Sequence, residues 1–284
     1  MFSNFNKLQE IDTHFKTDDT VNMTQMFYGD QSLTTIDVSH FKTGNVKSMA
    51  SVFGQNYVLP ALNLTGWDVR QVTTFGHMFN GCRSVTELDL STWHTDSATN
   101  MTNMFSSTYK MTSLKIDNFN TSKVTNMHGF CNDSFVIETL DFSMLDTQKV
   151  TDFSGFVSND HALKTIIFPA TMNTSKAKNM KEMFKNVDAM EVLDISAFSS
   201  TAAVTNFNNM FDGMVSLKTI YASSGFVTTG IGTSTPVMFN NDTLLEGGAG
   251  TKYSTETSSN KTKSPYARID GGPDSATPGY FTAK

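Results

Sequence analysis

A pair of large apolar residues, most often Met-Phe, returns along this chain at a fixed interval, and no other feature constrains its fold so tightly. Taken at the second position of the pair, the series is Phe2, Phe27, Phe53, Phe79, Phe105, Cys131, Val157, Phe184, Phe211 and Phe239, and the five steps from Phe27 to Val157 are each 26 residues. Self-similarity at a period of roughly 20 to 50 residues marks a solenoid, in which each unit buries its apolar face only against its neighbours. Positions one period apart then form columns, so function has to be sought in columns that face outward.

Two apolar rhythms divide each period. Six, nine and eleven residues after Phe27 stand Leu33, Ile36 and Val38; the same slots hold Leu59, Leu62 and Leu64, then Val85, Leu88 and Leu90, and later Met190, Leu193 and Ile195. This L-x-x-L-x-L pattern ends in the alternation of a short strand with one face inward, and it places Ile36, Leu62, Leu88, Leu114, Leu140, Ile166 and Leu193 in one buried column. An anchor follows the strand: Phe41, Trp67, Trp93, Phe119, Leu145 and Phe198. The second rhythm is V-x-x-M-x-x-M-F, as in Val46, Met49, Val52, Phe53, and its spacing predicts a short helix or 3₁₀ turns with one apolar stripe. Ser48, Asn100, Asn126, Asp152, Asn179 and Asn206 precede the stripe, where they can accept hydrogen bonds from the free amides of a helix start. The expected fold is an α/β repeat solenoid, with a parallel sheet on one face, short helical turns on the other, and an irregular C-terminal cap. Its predicted division is 1–222 for the solenoid and 223–284 for the capping segment. In the latter, Gly, Ser, Thr and Pro replace the regular spacing, and Ser254 to Ser264 reads as a mobile loop. Met1 and Phe2 fall in the middle of a period, which leads us to expect further repeats or a cap before them.

The 284 residues are 38% hydrophobic but only 17% charged, with a net charge of -6. A repeat array can replace surface charge with ladders of hydroxyl and amide side chains, and the acidic balance argues against nucleic acid as a partner. No run approaches the roughly 18 apolar residues of a membrane span, so membrane insertion by this segment is not expected. Cys82 and Cys131 occupy different slots two periods apart, so they are expected to be buried free thiols. The recurring Met residues share their slots with Phe and Val, which makes them core filler and not metal ligands.

No H-E-x-x-H, C-x-x-C, G-x-S-x-G or phosphate-loop pattern occurs, and no catalytic, metal or cofactor site is expected. Two outward columns carry chemistry. Asp12, Asp37, Asp89, Asp141 and Asp194 share the slot between the two inward strand residues, a sheet-face acidic column interrupted by Asn63, Lys115 and Ile167. Carboxyls about 5 Å apart are what a retaining glycosidase needs, but periodic acids beside Ser and Thr are more often solubilising or locally hydrogen-bonded. Four residues after each marker stand Tyr57, Arg83, Tyr109, Phe135 and His161, with Gln31 before and Asp188 after. Rings interleaved with a guanidinium can form a strip that binds sugars or a peptide; they can equally shield the loop edge by stacking on one another.

Segments such as Val72 to Trp93 (VTTFGHMFNGCRSVTELDLSTW) and Thr121 to Met127 (TSKVTNM) resemble the BspA-type leucine-rich repeats of bacterial surface proteins, also described as Mycoplasma-type lipoprotein or lactobacillus surface repeats. The resemblance runs to about residue 222 and continues into Tyr221, Met238-Phe239, Gly247-Gly248, Tyr266 to Asp270 (YARID) and Pro278 to Thr282 (PGYFT), which look like the closing segment of such arrays. It implies an extracellular location at a bacterial cell surface, with export and anchor signals outside this segment. It also implies adhesion to host mucin, extracellular matrix or an epithelial surface. The alternative is a non-binding spacer that displays another domain, and an enzyme is the weakest reading. Because the chain and mucins are both anionic, adhesion is expected to strengthen in mild acid, where carboxylates begin to be neutralised and histidines charged.

Overall fold

The structure, a computed structural model, describes residues 2–284; Met1 lies outside them. The chain forms two compact units, Met1–Ile137 and Glu138–Lys284. Each is a stack of coils that follow the sequence period and are joined by parallel pairing.

The Met-Phe face of the coils is not helical. Among the described residues there is no α-helix, and the 3₁₀ turns Thr229–Ile231 and Ser264–Tyr266 both lie in the tail. Backbone geometry accounts for the correction. In the first unit Gln25, Ser51, His77, Asn103 and Gly129 form a column with φ between 51° and 59°, and Gly29, Gln55, Gly81, Ser107 and Asp133, four residues on, form a second with φ between 58° and 76°. A left-handed residue every fourth position ends any right-handed helix. Gln25 instead occupies the third position of the tight turn that Met26 N closes on Met23 O (3.0 Å). The amides divide accordingly. Met26 N and Tyr28 N, the latter donating to Gln25 O (3.3 Å), stay within the coil. Met23, Gln25, Phe27 and Gly29 donate instead to Ser48, Ala50, Val52 and Gly54 of the next coil at 2.8 to 3.0 Å. A helix of about seven residues would leave its first four amides without partners and is too short to hold itself together. The ladder between coils satisfies those amides while keeping Met23, Met26 and Phe27 buried.

The V-x-x-M-x-x-M-F spacing therefore reports which residues point inward, and not the helix it predicts. Of the acceptors expected ahead of the stripe, the Asn and Asp residues do accept amides, each from two residues on, whereas the Ser48 hydroxyl pairs with that of Thr24. Asn100 Oδ1 takes Thr102 N (2.9 Å), Asn126 Oδ1 takes His128 N (2.9 Å) and Asp152 Oδ1 takes Ser154 N (2.8 Å), which makes them turn formers rather than helix caps.

On the opposite face, β1 (Glu87–Asp89) pairs in parallel with β2 (Ser113–Lys115) in the first unit, with Leu88 opposite Leu114. In the second, β3 (Thr139–Asp141) pairs with β4 (Thr165–Ile167), and β5 (Val192–Asp194) with β6 (Thr219–Ala222). The expected inward column is present. Ile36, Leu88, Leu140 and Leu193 are buried, and Leu62, Leu114 and Ile166 are half-buried. Between the two faces run spines of rings one coil apart. Phe27, Phe53, Phe79 and Phe105 stack at 5.7 to 6.0 Å, and Phe41, Trp67, Trp93 and Phe119 at 6.1 to 6.5 Å. Neither Cys82 nor Cys131 is in a disulfide, and both are buried.

After β6 the chain leaves the repeat and returns as β7 (Phe281–Ala283), which pairs in parallel with β6. Tyr280 and Phe281 cover the last coil of the second unit, with Phe211, Phe239 and Phe281 in mutual ring contact. Asp270 fastens this tail. Its carboxylate accepts the amides of Ala249, Thr251, Gly272 and Gly279 and the Thr251 hydroxyl. Burial pushes this carboxyl up, but the donors from Thr251, Gly272 and Gly279 outweigh it and hold the group below its ordinary value.

Candidate functional site

The loop that leads from the turn face to the strand recurs in every coil, so the residue four places after each marker is set beside its counterpart one coil away. In the first unit this brings four of the five strip residues together. The Arg83 guanidinium carbon lies 3.9 Å from the centre of the Tyr57 ring and 5.3 Å from that of Tyr109. The Tyr109 and Phe135 rings follow at 4.5 Å, inclined by only 9°. The result is a continuous stack of ring, cation, ring and ring. Tyr57 is fixed from the side, since its hydroxyl donates to Gln55 Oε1 (2.8 Å) and Gln55 Nε2 donates to Asn80 Oδ1 (2.7 Å). His161, the fifth residue, belongs to the second unit, where its Nδ1 is 2.6 Å from Asp188 Oδ2.

The stack limits what the strip can offer. Both faces of Tyr109 and one face each of Tyr57 and Phe135 are spent on one another and on Arg83. Tyr57, Arg83 and Tyr109 are half-buried, whereas Phe135 is exposed. The residues that directly follow the two ends of the stack, Val58 and Val136, are each 42% exposed. They escape a search for aromatic or charged columns, because a lone valine in a loop carries no signal until its exposure is known.

The acidic column is built differently. Each aspartate begins a local turn. Asp37 Oδ1 accepts the amide and hydroxyl of Ser39 (3.0 and 2.7 Å), Asp89 Oδ1 those of Ser91 (3.1 and 2.6 Å), and Asp194 Oδ1 those of Ser196 (2.9 and 2.6 Å). Asp141 takes the Ser143 amide, and Asp12 the amide and ring of His14. Lys115 and Lys284 add ion pairs to Asp89 and Asp194. The Ser91 hydroxyl holds the Asp89 carboxyl down at about 2, and Ser39 and His14 hold Asp37 and Asp12 below their ordinary values. These three carboxylates stay ionised at pH 5 as at pH 7, so neutralising them is not a route to acid-strengthened adhesion. Nor do they sit in surroundings that keep a carboxylic acid protonated, as a general acid requires.

A third column is buried and polar. Three residues after the marker stand Asp30, Asn56, Cys82, Thr108 and Ser134 in the first unit and Asp160 and Asp242 in the second, where apolar Val187 and Met214 fill the slots between, all buried. Asn56 Nδ2 donates to Phe27 O and Phe53 O (both 2.7 Å), and the Thr108 hydroxyl donates to Phe105 O (2.9 Å). These side chains replace the ladder where the chain leaves the turn. Their recurrence is visible in the sequence, but small polar residues one column before an aromatic strip read there as loop. Among the described residues no group of three His, Cys, Asp or Glu could hold a metal ion, and no helix is long and apolar enough to cross a membrane.

No curated protein matches the chain. Among solved structures it is similar to a leucine-rich repeat protein from Bacteroides ovatus, with 13% identity, a TM-score of 0.24, and coverage of 86% of this chain and 79% of that one. A family model described as "Mycoplasma protein of unknown function, DUF285" matches residues 1–114, 60–137 and 133–247. With most of its length matched, the chain belongs to this DUF285 family.

Proposed function

We propose that this chain is an adhesive module of a bacterial cell surface, which binds host mucus or a matrix glycoprotein through outward columns of its coils. The observation that carries the reading is the stack Tyr57, Arg83, Tyr109 and Phe135, ended by exposed Val58 and Val136. A spacer needs no such assembly, and a rigid aromatic and arginine patch is the kind of surface that concentrates binding energy. His161, in the second unit beside Asp188, is proposed as a separate contact of that unit. The acidic column Asp12, Asp37, Asp89, Asp141 and Asp194 is assigned to turn formation and to keeping the surface hydrated. The reading involves no catalysis, cofactor, nucleic acid or membrane insertion. It places the protein outside the cell.

One observation favours a second reading, in which the segment only displays another domain: most ring faces of the strip are already covered by their neighbours. Binding of the purified chain to immobilised mucin and to a basement-membrane extract separates the two. We expect saturable binding by wild type and a loss of roughly tenfold or more in a Tyr57→Ala, Tyr109→Ala double variant that still melts cooperatively. Failure of wild type to bind either surface, or equal binding by both proteins, leaves the spacer.

A further inference from the structure

Arginine occurs at three positions in this chain, and two of the three guanidinium groups are engaged by oxygen. Arg70 makes a two-pronged pair with Asp68 (2.9 and 2.6 Å), and Arg268 Nε donates to Pro278 O (2.9 Å). Arg83 differs from both. Among the described residues no acceptor takes a hydrogen bond from its side chain, no carboxylate pairs with it, and its Nε is buried without a partner.

The guanidinium carbon lies over both rings, the side chain is only half-buried, and of its nitrogens Nε is the one buried without a partner, so the terminal N–H groups are the ones left to meet a ligand. Tyr57 and Tyr109 remove water from its faces and hold its orientation. An unpaired guanidinium fixed in this way has the donor geometry that matches the two oxygens of a carboxylate. Its surroundings narrow the ligand further. With both faces of Tyr109 and the inner faces of Tyr57 and Phe135 already covered, a sugar ring has fewer faces to stack on, whereas exposed Val58, Phe135 and Val136 offer apolar contact to either side.

We infer that Arg83 is a receptor for a carboxylate on an extended acidic peptide segment, with apolar residues of that segment resting on Val58, Phe135 and Val136. This rests on the adhesive reading and names the chemistry of its ligand. The test is a titration of the purified chain, followed by the ring proton signals of Tyr109. The probes are a capped Val-Glu-Val peptide, its Gln counterpart, and a sulfated disaccharide. We expect saturable shifts with the Glu peptide, roughly tenfold or weaker binding of the Gln peptide, and a similar loss for the Glu peptide with Arg83→Gln. Arg83→Lys, which keeps the charge but loses the fork, is expected to fall between. Equal binding of Glu and Gln peptides, unchanged binding by Arg83→Gln, or a response to the disaccharide alone overturns the inference. If mucin or matrix binding is lost in the tyrosine double variant but kept in Arg83→Gln, the adhesive reading stands and the carboxylate receptor falls.

Discussion

Asp242 has a carboxyl with no exposure to solvent, one oxygen accepting the Met214 amide (2.9 Å) and the other accepting nothing from the described residues. Burial, with Asp212 adding repulsion, raises this carboxyl from its ordinary 3.8 to about 8. The folded state thus holds a proton that the unfolded chain releases near 3.8, and the stability this contributes is full below that value and is lost as pH rises toward 8. The second unit is expected to melt at a higher temperature at pH 5 than at pH 8, followed by the methyl signals of Ile220 and Met214. Asp242→Asn should flatten that dependence; an unchanged slope counts against the assignment. Asp270 is the opposite case, a charged carboxylate whose partners are all in place. Asp270→Ala strands several buried donors and should cost roughly 2 to 4 kcal/mol in chemical denaturation of the second unit.

At the scale of the element, the inward strand column and the turn ladder differ in what each tolerates. Leu88 is 2% exposed and Leu114 is half-buried, so Leu88→Ala should cost roughly 2 to 5 kcal/mol and Leu114→Ala distinctly less, as read from denaturant midpoints. On the ladder, Glu182 is held at a φ of 57°, which glycine adopts freely and a β-branched residue resists. Glu182→Gly is expected to be neutral or stabilising by up to about 1 kcal/mol, and Glu182→Val destabilising by more than that. The same elements show what could be read from sequence. The period, the inward column and the anchor rings were legible because burial repeats with the coil. The helix is a misreading, because inward spacing of three, three and one is shared by a helix and by two successive turns. What separates them is the φ of residues such as Gln25, His77 and Glu182, whose side chains do not announce a left-handed backbone. The strip could be found as a column, but its stacking, and hence the covering of its faces, depends on ring orientation that spacing does not encode.

For the molecule as a whole, the family match and the period describe a protein whose cohesion is local, each coil held by the next. The tail matters out of proportion to its regularity, because β7 and the Tyr280-Phe281 pair cover β6 and Phe211. A chain ending at residue 222 should bind a hydrophobic dye and self-associate, as judged by light scattering, whereas the full chain should not. The division of amides on the turn face has a further consequence for how such a stack breathes. Met101, Asn103, Phe105 and Ser107 donate to the next coil, while Met104 and Ser106 donate within their own. If one coil parts from its neighbour and keeps its own turns, deuterium should enter at the odd-numbered amides and pass over the even ones, so that a fraying coil writes an alternating isotope pattern along its own backbone.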